Sequence, residues 1–118
     1  MMRSKAIPVL FSLASVAMST NAIAQAIPYQ SNVALKIGQT AVLKGVRGDC
    51  GSAPPAWSQL KTGLPPTALG RFSDGGLGTV NSNACKGMTP GRAVRFTATK
   101  KGNETLVIYQ DKVSITVE

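Results

Sequence analysis

Two cysteines, Cys50 and Cys85, in a chain that opens on an export signal constrain the fold more than any other feature of this sequence. Arg3 and Lys5 make a short basic start, and Ala6 to Met18 is apolar. Ser19-Thr20-Asn21 then leads into Ala22-Ile23-Ala24, a small-x-small cleavage pattern. The apolar stretch is too short to span a bilayer. Residues 1–24 therefore read as a secretory signal peptide, with cleavage after Ala26 as the alternative. No cysteine lies near the cleavage site, so no lipid anchor is expected. Residues 25–118 are expected to form a single periplasmic or secreted domain with no membrane anchor.

Export to an oxidising compartment makes a Cys50–Cys85 disulfide the expected state. A domain of this size buries only about two-thirds of the surface its unfolded chain exposes. Closing the intervening loop is worth roughly 4 kcal/mol in the chain-entropy model, comparable to the whole stability of a marginal domain. The competing use of the two sulfurs is metal ligation. With no histidine in the chain, two thiolates do not complete a tetrahedral zinc site. No metal and no cofactor is expected.

Outside the cysteines the pattern is that of strands. Val33, Leu35 and Ile37 fall on one face of an extended run, and Gly38-Gln39 offers a turn. Thr40 to Val46 is apolar on both faces, which predicts a strand near the middle of a sheet. After Cys85, Val94, Phe96 and Ala98 alternate with Arg95, Thr97 and Thr99. Lys100 to Asn103 reads as a hairpin turn, Thr105 to Tyr109 as a strand, Gln110-Asp111-Lys112 as a second turn, and Val113 to Val117 as the last strand. These three segments predict an antiparallel meander. The whole predicts an all-β, six- to seven-stranded antiparallel, immunoglobulin-like sandwich.

The segment between the cysteines reads as an irregular insert. Pro54-Pro55-Ala56-Trp57-Ser58-Gln59-Leu60-Lys61 suits one or two helical turns, with Trp57, Leu60 and Leu64 on one side. Gly63 and Pro65-Pro66 stop it. Arg71-Phe72-Ser73 reads as a short extended piece and Asp74-Gly75-Gly76-Leu77-Gly78 as a flexible turn. Trp57, the only tryptophan, is either a plug over the core or an exposed anchor for a partner.

The chemistry that the chain lacks narrows its function. Without histidine there is no Ser-His-Asp or Cys-His arrangement. Oxidised cysteines supply no nucleophile, and the five acids are dispersed. Ser58-Gln59-Leu60-Lys61 and Lys61-Thr62-Gly63 match two motifs of penicillin-binding proteins. Those motifs are separate elements in much larger domains, whereas here they share one lysine. Arg47-Gly48-Asp49 is an integrin-type tripeptide, in which Gly48-Asp49 reads as a turn into Cys50. The chain carries 13 Lys and Arg against 5 Asp and Glu, or +8. Removing Arg3 and Lys5 leaves 11 against 5, or +6. Such an excess favours anionic partners. The basic residues are scattered without a nucleic-acid-binding motif, so nucleic acid is not the expected one.

Val33 to Val46 together with the terminal strands resembles small secreted immunoglobulin-like domains of bacteria. The layout is similar to that of the chagasin-type inhibitors of cysteine proteases, with an early strand pair, a loop leading to a tryptophan and a glycine-bearing central loop. The inhibitory loops of that family do not match. Asp49-Cys50-Gly51-Ser52-Ala53-Pro54 stands where Asn-Pro-Thr-Thr-Gly is expected, and Gln110-Asp111-Lys112 is too short for an Arg-Pro-Trp loop. The resemblance implies a sandwich and transfers no inhibitory residue.

The expected function is that of a non-catalytic exported binding domain, not an enzyme, which engages a protein partner of the cell envelope through its loops. An enzyme inhibitor is the sharper version. The alternatives are a basic module for an anionic envelope polymer and an accessory component of an envelope assembly. The candidate contacts are Trp57, Pro54, Pro55, Asp74, Gly75 and Gly76, held by Cys50 and Cys85.

Overall fold

The computed structural model describes residues 25–118; the signal-peptide reading lies outside them. Among the described residues, six strands form in chain order: β1 (Asn32–Leu35), β2 (Thr40–Arg47), β3 (Gly70–Ser82), β4 (Gly87–Ala98), β5 (Gly102–Ile108) and β6 (Asp111–Val117). One short helix, α1 (Trp57–Leu60), runs into a 3₁₀ turn over Lys61–Gly63. The strands make two three-stranded sheets, ordered β1-β6-β5 and β2-β4-β3. An all-β sandwich is what the alternating pattern predicts. One pair departs from the antiparallel expectation, because β1 lies parallel to β6.

The sheets meet over Leu43, Phe96 and Ala98 on one side and Val33, Leu35, Leu106, Ile108, Val113, Ile115 and Val117 on the other. In β4 the even positions Val94, Phe96 and Ala98 point inward, as their alternation requires. Phe96 meets Phe72 edge to face, with ring centroids 5.7 Å apart. Strands β3 and β4, at 13 and 12 residues, outrun the seven residues of β5 and β6. The overhang would expose apolar surface. The inter-cysteine insert covers it: Leu60 of α1 packs with Val46 and Val94, and Trp57, Leu64 and Phe72 close in around them.

Five local expectations need correction. The insert is irregular only in its first half, since β3 occupies Gly70–Ser82. Asp74–Gly78 is therefore not a turn; it carries a bulge between Asp74 and Leu77. Gly76 takes φ +92° there, and a side chain on Gly75 would meet Ala93 Cβ at 2.7 Å. Glycine serves close approach here, not chain reversal. The terminal segments are not one meander, because β4 joins β2 and β3, and Thr99–Lys101 crosses between sheets. The last tight turn is Tyr109-Gln110, one residue earlier than the composition suggested. Ile37 also falls outside β1, in the exposed turn before β2.

Strand β2 is an edge strand, not a central one. Its apolar faces have two other causes. A bulge between Val42 and Lys44 leaves both Leu43 and Lys44 buried. On the opposite face, Ile27 lies over Gly45 and Gly78, and Val80 over Gly45 and Gly91. A Cβ at Gly45 would meet Val80 Cγ2 at 2.7 Å, and one at Gly91 would collide with the same methyl. These glycines let the sheet curl until its edges approach. Residues 25–30 then bridge those edges: the Ile27 N–H donates to Thr79 O of β3 at 2.8 Å, and the Gln30 N–H to Leu43 O of β2 at 2.9 Å. Gly91→Val is expected to cost about 1–3 kcal/mol by overpacking. Hydrogen exchange at the Ile27 and Thr79 amides should rise in the same variant. Unchanged protection there would show that Val80 and Ile27 have room to move aside.

Candidate functional site

The disulfide sits at one end of the sandwich. Cys50 and Cys85 are bonded, 35 residues apart in sequence. The bond fastens the chain leaving β2 to the tip of the β3–β4 ribbon. The Gly51 N–H adds a 2.9 Å hydrogen bond to the buried Thr89 Oγ1 of β4. Arg92 of β4 makes the next tie, with Nε donating to Pro55 O at 2.9 Å and an Nη donating to Asp74 Oδ2 at 2.8 Å. Two of the predicted contact loops, the proline pair and the Asp-Gly-Gly bulge, therefore meet on one guanidinium. Arg92 itself gave no signal in the sequence, where it is one basic residue among scattered ones.

Asp74 is ionised in this arrangement. Partial burial pushes its carboxyl up. The Gly76 N–H, the hydrogen bond and charge of Arg92, and the charge of Arg95 outweigh that and hold it below its ordinary value of 3.8. A lowered folded value means that Asp74 stabilises the fold above its unfolded value. That contribution is lost as pH falls below about 3.8 through the folded value. Asp74→Asn is expected to be less stable than wild type at neutral pH and to lose part of the acid-side slope. Chemical denaturation between pH 2 and pH 6 measures this (~0.5 pH steps suffice across a single titration). Parallel wild-type and Asp74→Asn profiles would show that the Arg92 pair contributes nothing.

Arg47 and Tyr109 stand at the centre of this end. One groove, about 410 Å³, is lined by Lys44 to Arg47 of β2, Val80 to Ser82 of β3, and Tyr109 to Asp111 at the β5–β6 turn. A second, about 580 Å³, is lined by Val46 to Asp49, by Ser52, Ala53, Pro55, Gln59 and Leu60 of the insert, and again by Tyr109. Both volumes are within the range of ligand-sized clefts. Val46, Arg47 and Tyr109 belong to both grooves.

The turn between them is strained. Tyr109 and Gln110 have φ of +45° and +75°, the mirror-image hairpin geometry that Asn-Gly adopts most easily. Conformations of this kind cost of order 1–3 kcal/mol for ordinary residues. Three hydrogen bonds hold it. The Tyr109 hydroxyl donates to Leu60 O at 2.8 Å, and the buried Lys44 Nζ donates to Tyr109 O at 3.1 Å and to Asp111 Oδ2 at 2.7 Å. The insert, β2 and the hairpin are thus tied together at one tyrosine.

The predicted contact residues divide accordingly. Pro55 lines the second groove. Pro54 is half-buried beside it, and Trp57 is half-buried against the Val46–Leu60–Val94 cluster. Asp74, Gly75 and Gly76 lie in the β3 bulge behind Arg92 and line neither groove. Lys44, Arg47, Tyr109 and Gln110 are the residues that sequence reasoning passed over. A positive-φ tyrosine is invisible in sequence, because nothing marks Tyr-Gln as a turn.

Among the described residues, no helix is long and apolar enough to cross a membrane. Among the same residues, no group of three or more His, Cys, Asp or Glu is placed to hold a metal ion. Comparison with protein-family models, with characterised proteins and with solved structures gives no match.

Proposed function

We propose that this protein is a non-catalytic exported binding domain that takes part of a protein partner at its disulfide-tied end. The observation that carries this reading is the pair of grooves meeting at Arg47 and Tyr109. Their walls are fixed by a disulfide, two ion pairs and the held turn. Walls fixed before binding lose little entropy when a partner docks. The ionisable groups nearby support binding over catalysis, since Lys44 pairs with Asp111 and Arg92 with Asp74. The immunoglobulin-like layout and the role of enzyme inhibitor belong to the same proposal.

The test is capture from envelope extract on the immobilised, oxidised protein, with folded Arg47→Ala and Trp57→Ala versions beside it. A stoichiometric protein retained by wild type and lost with Arg47→Ala is the expected result. Equal capture by all three would remove the grooves from the reading.

A second reading, an anionic envelope polymer as partner, has its own observation. Arg71 and Arg95 sit diagonally on one face of the β3–β4 pair. The Gly38 N–H donates to Ala98 O and the Lys100 N–H to Leu69 O, which brings Lys36, Lys100 and Lys101 to the same end. All five are exposed, and among the described residues none forms an ion pair. This end lies opposite the grooves. Retention of polymer that washes off with salt and survives Arg47→Ala would favour it.

A further inference from the structure

The groove between β2 and β3 is bounded by sheet edges as well as by side chains. Among the described residues, Lys44–Arg47 make backbone hydrogen bonds only toward β4, and Val80–Ser82 have no backbone partner on their outer side. Immediately before each stretch, the same edge is already occupied by the chain itself. Gln25 and Ile27 pair with Thr79 in the parallel sense, and Gln30 bonds Leu43. Residues 25–27 therefore form one parallel bridge on the β3 edge, Gln30 places one backbone hydrogen bond on the β2 edge, and both contacts stop one residue short of the groove. The groove thus continues two edges whose outward backbone groups already accept hydrogen bonds from the chain itself.

Its charge is also specific. Lys44 is neutralised by Asp111. Arg47 donates one hydrogen bond, to Gly48 O at 2.9 Å, and forms no ion pair among the described residues. Its remaining donors form a planar fork that suits a carboxylate. The other lining groups, Asn81, Ser82 and Gln110, are neutral and hydrogen-bonding.

We propose, resting on the protein-binding reading above, that the β2 edge takes an extended segment of a partner protein as an added strand, with a carboxylate of that segment on Arg47. The open edge spans roughly 13 Å at about 3.3 Å per residue, so about four residues of the partner are engaged. The carboxylate is either an Asp or Glu side chain or a free C-terminus.

The probe is a random heptapeptide library selected on the oxidised full-length protein, followed by synthesis of the selected peptides as free acids and as amides. The expected peptides carry a carboxylate and slow hydrogen exchange at the Lys44–Arg47 amides when bound. They should bind Arg47→Gln at least 10-fold more weakly than wild type, with part of the affinity restored in Arg47→Lys. Loss of binding on amidation identifies a terminal carboxylate; loss on Asp→Asn or Glu→Gln in the peptide identifies a side chain. Selection of no peptide, selection of peptides without a carboxylate, or indifference to Arg47→Gln would overturn the proposal. A partner that binds but protects amides elsewhere would overturn it too, while leaving the protein-binding reading in place.

Discussion

Replacing Cys50 and Cys85 together by serine is expected to lower the unfolding free energy by about 4 kcal/mol, the chain-entropy value for a loop of this length. The loop spans 35 residues and contains α1 and all of β3. Without the bond, the hydrogen bonds that tie residues 50–55 to β4 are, among the described residues, Gly51–Thr89 and Arg92–Pro55. Ordinary hydrogen bonds contribute about 1 kcal/mol each, so these do not replace the staple. Urea unfolding at fixed pH measures the loss, and wild type unfolded under thiol should match the double variant. A loss below about 1 kcal/mol would mean that the unfolded chain already holds the two ends together. The rise in hydrogen exchange should be greatest from Asp49 to Pro55, which form one wall of the second groove.

Leu60→Ala is the other substitution with a large expected effect, about 3 kcal/mol within the usual range of 2–5 for a buried leucine. Leu60 is 1% exposed and is the one insert residue wholly enclosed between Val46 and Val94. Its carbonyl also accepts the Tyr109 hydroxyl. Truncation therefore leaves a cavity beneath a four-residue helix that has no side-chain cap of its own. The strained Tyr109-Gln110 turn should loosen with it. Denaturant midpoints give the stability. Peptide binding at a denaturant-free temperature well below unfolding gives the functional part. A stability loss with unaltered groove binding would uncouple the insert from the site. Leu64→Ala, at a half-buried position, is expected to cost less.

Much of the scaffold is legible in the sequence and much of the site is not, for physical reasons. Val94, Phe96 and Ala98 face inward because a sheet with one buried face alternates with period two, and that pattern survives into the structure unchanged. Trp57, Leu60 and Leu64 likewise group on one side of a helical turn. The misreadings all involve residues whose role depends on distant partners. Gly75 and Gly76 look like a turn, yet the bulge in β3 needs Gly75 because Ala93 crowds it from the neighbouring strand and Gly76 because its φ is +92°. Gly45 and Gly91 carry no signal until Ile27 and Val80 are placed above them. Thr40 to Val46 looks central because both its faces are apolar. One of those faces is covered by residues 25–30, which no local pattern assigns to it. Arg47 and Tyr109 define the site through positions that the crossing of the two sheets creates, and no spacing rule reports that crossing.

The parallel pairing of β1 with β6 has a mechanical consequence. The pairs Asn32–Ser114, Val33–Ile115, Ala34–Thr116 and Leu35–Val117 lie side by side, with both strands running the same way. Tension applied upstream of β1 and downstream of β6 pulls these strands in opposite directions along their length. The ladder then bears the load in shear, with its hydrogen bonds strained together instead of being unzipped one at a time from an end. Once the ladder has parted, the disulfide keeps the 35-residue loop from paying out. Loss of the ladder would separate β1 from β6 while Cys50 and Cys85 still hold the groove end of β2 to the tip of the β3–β4 ribbon.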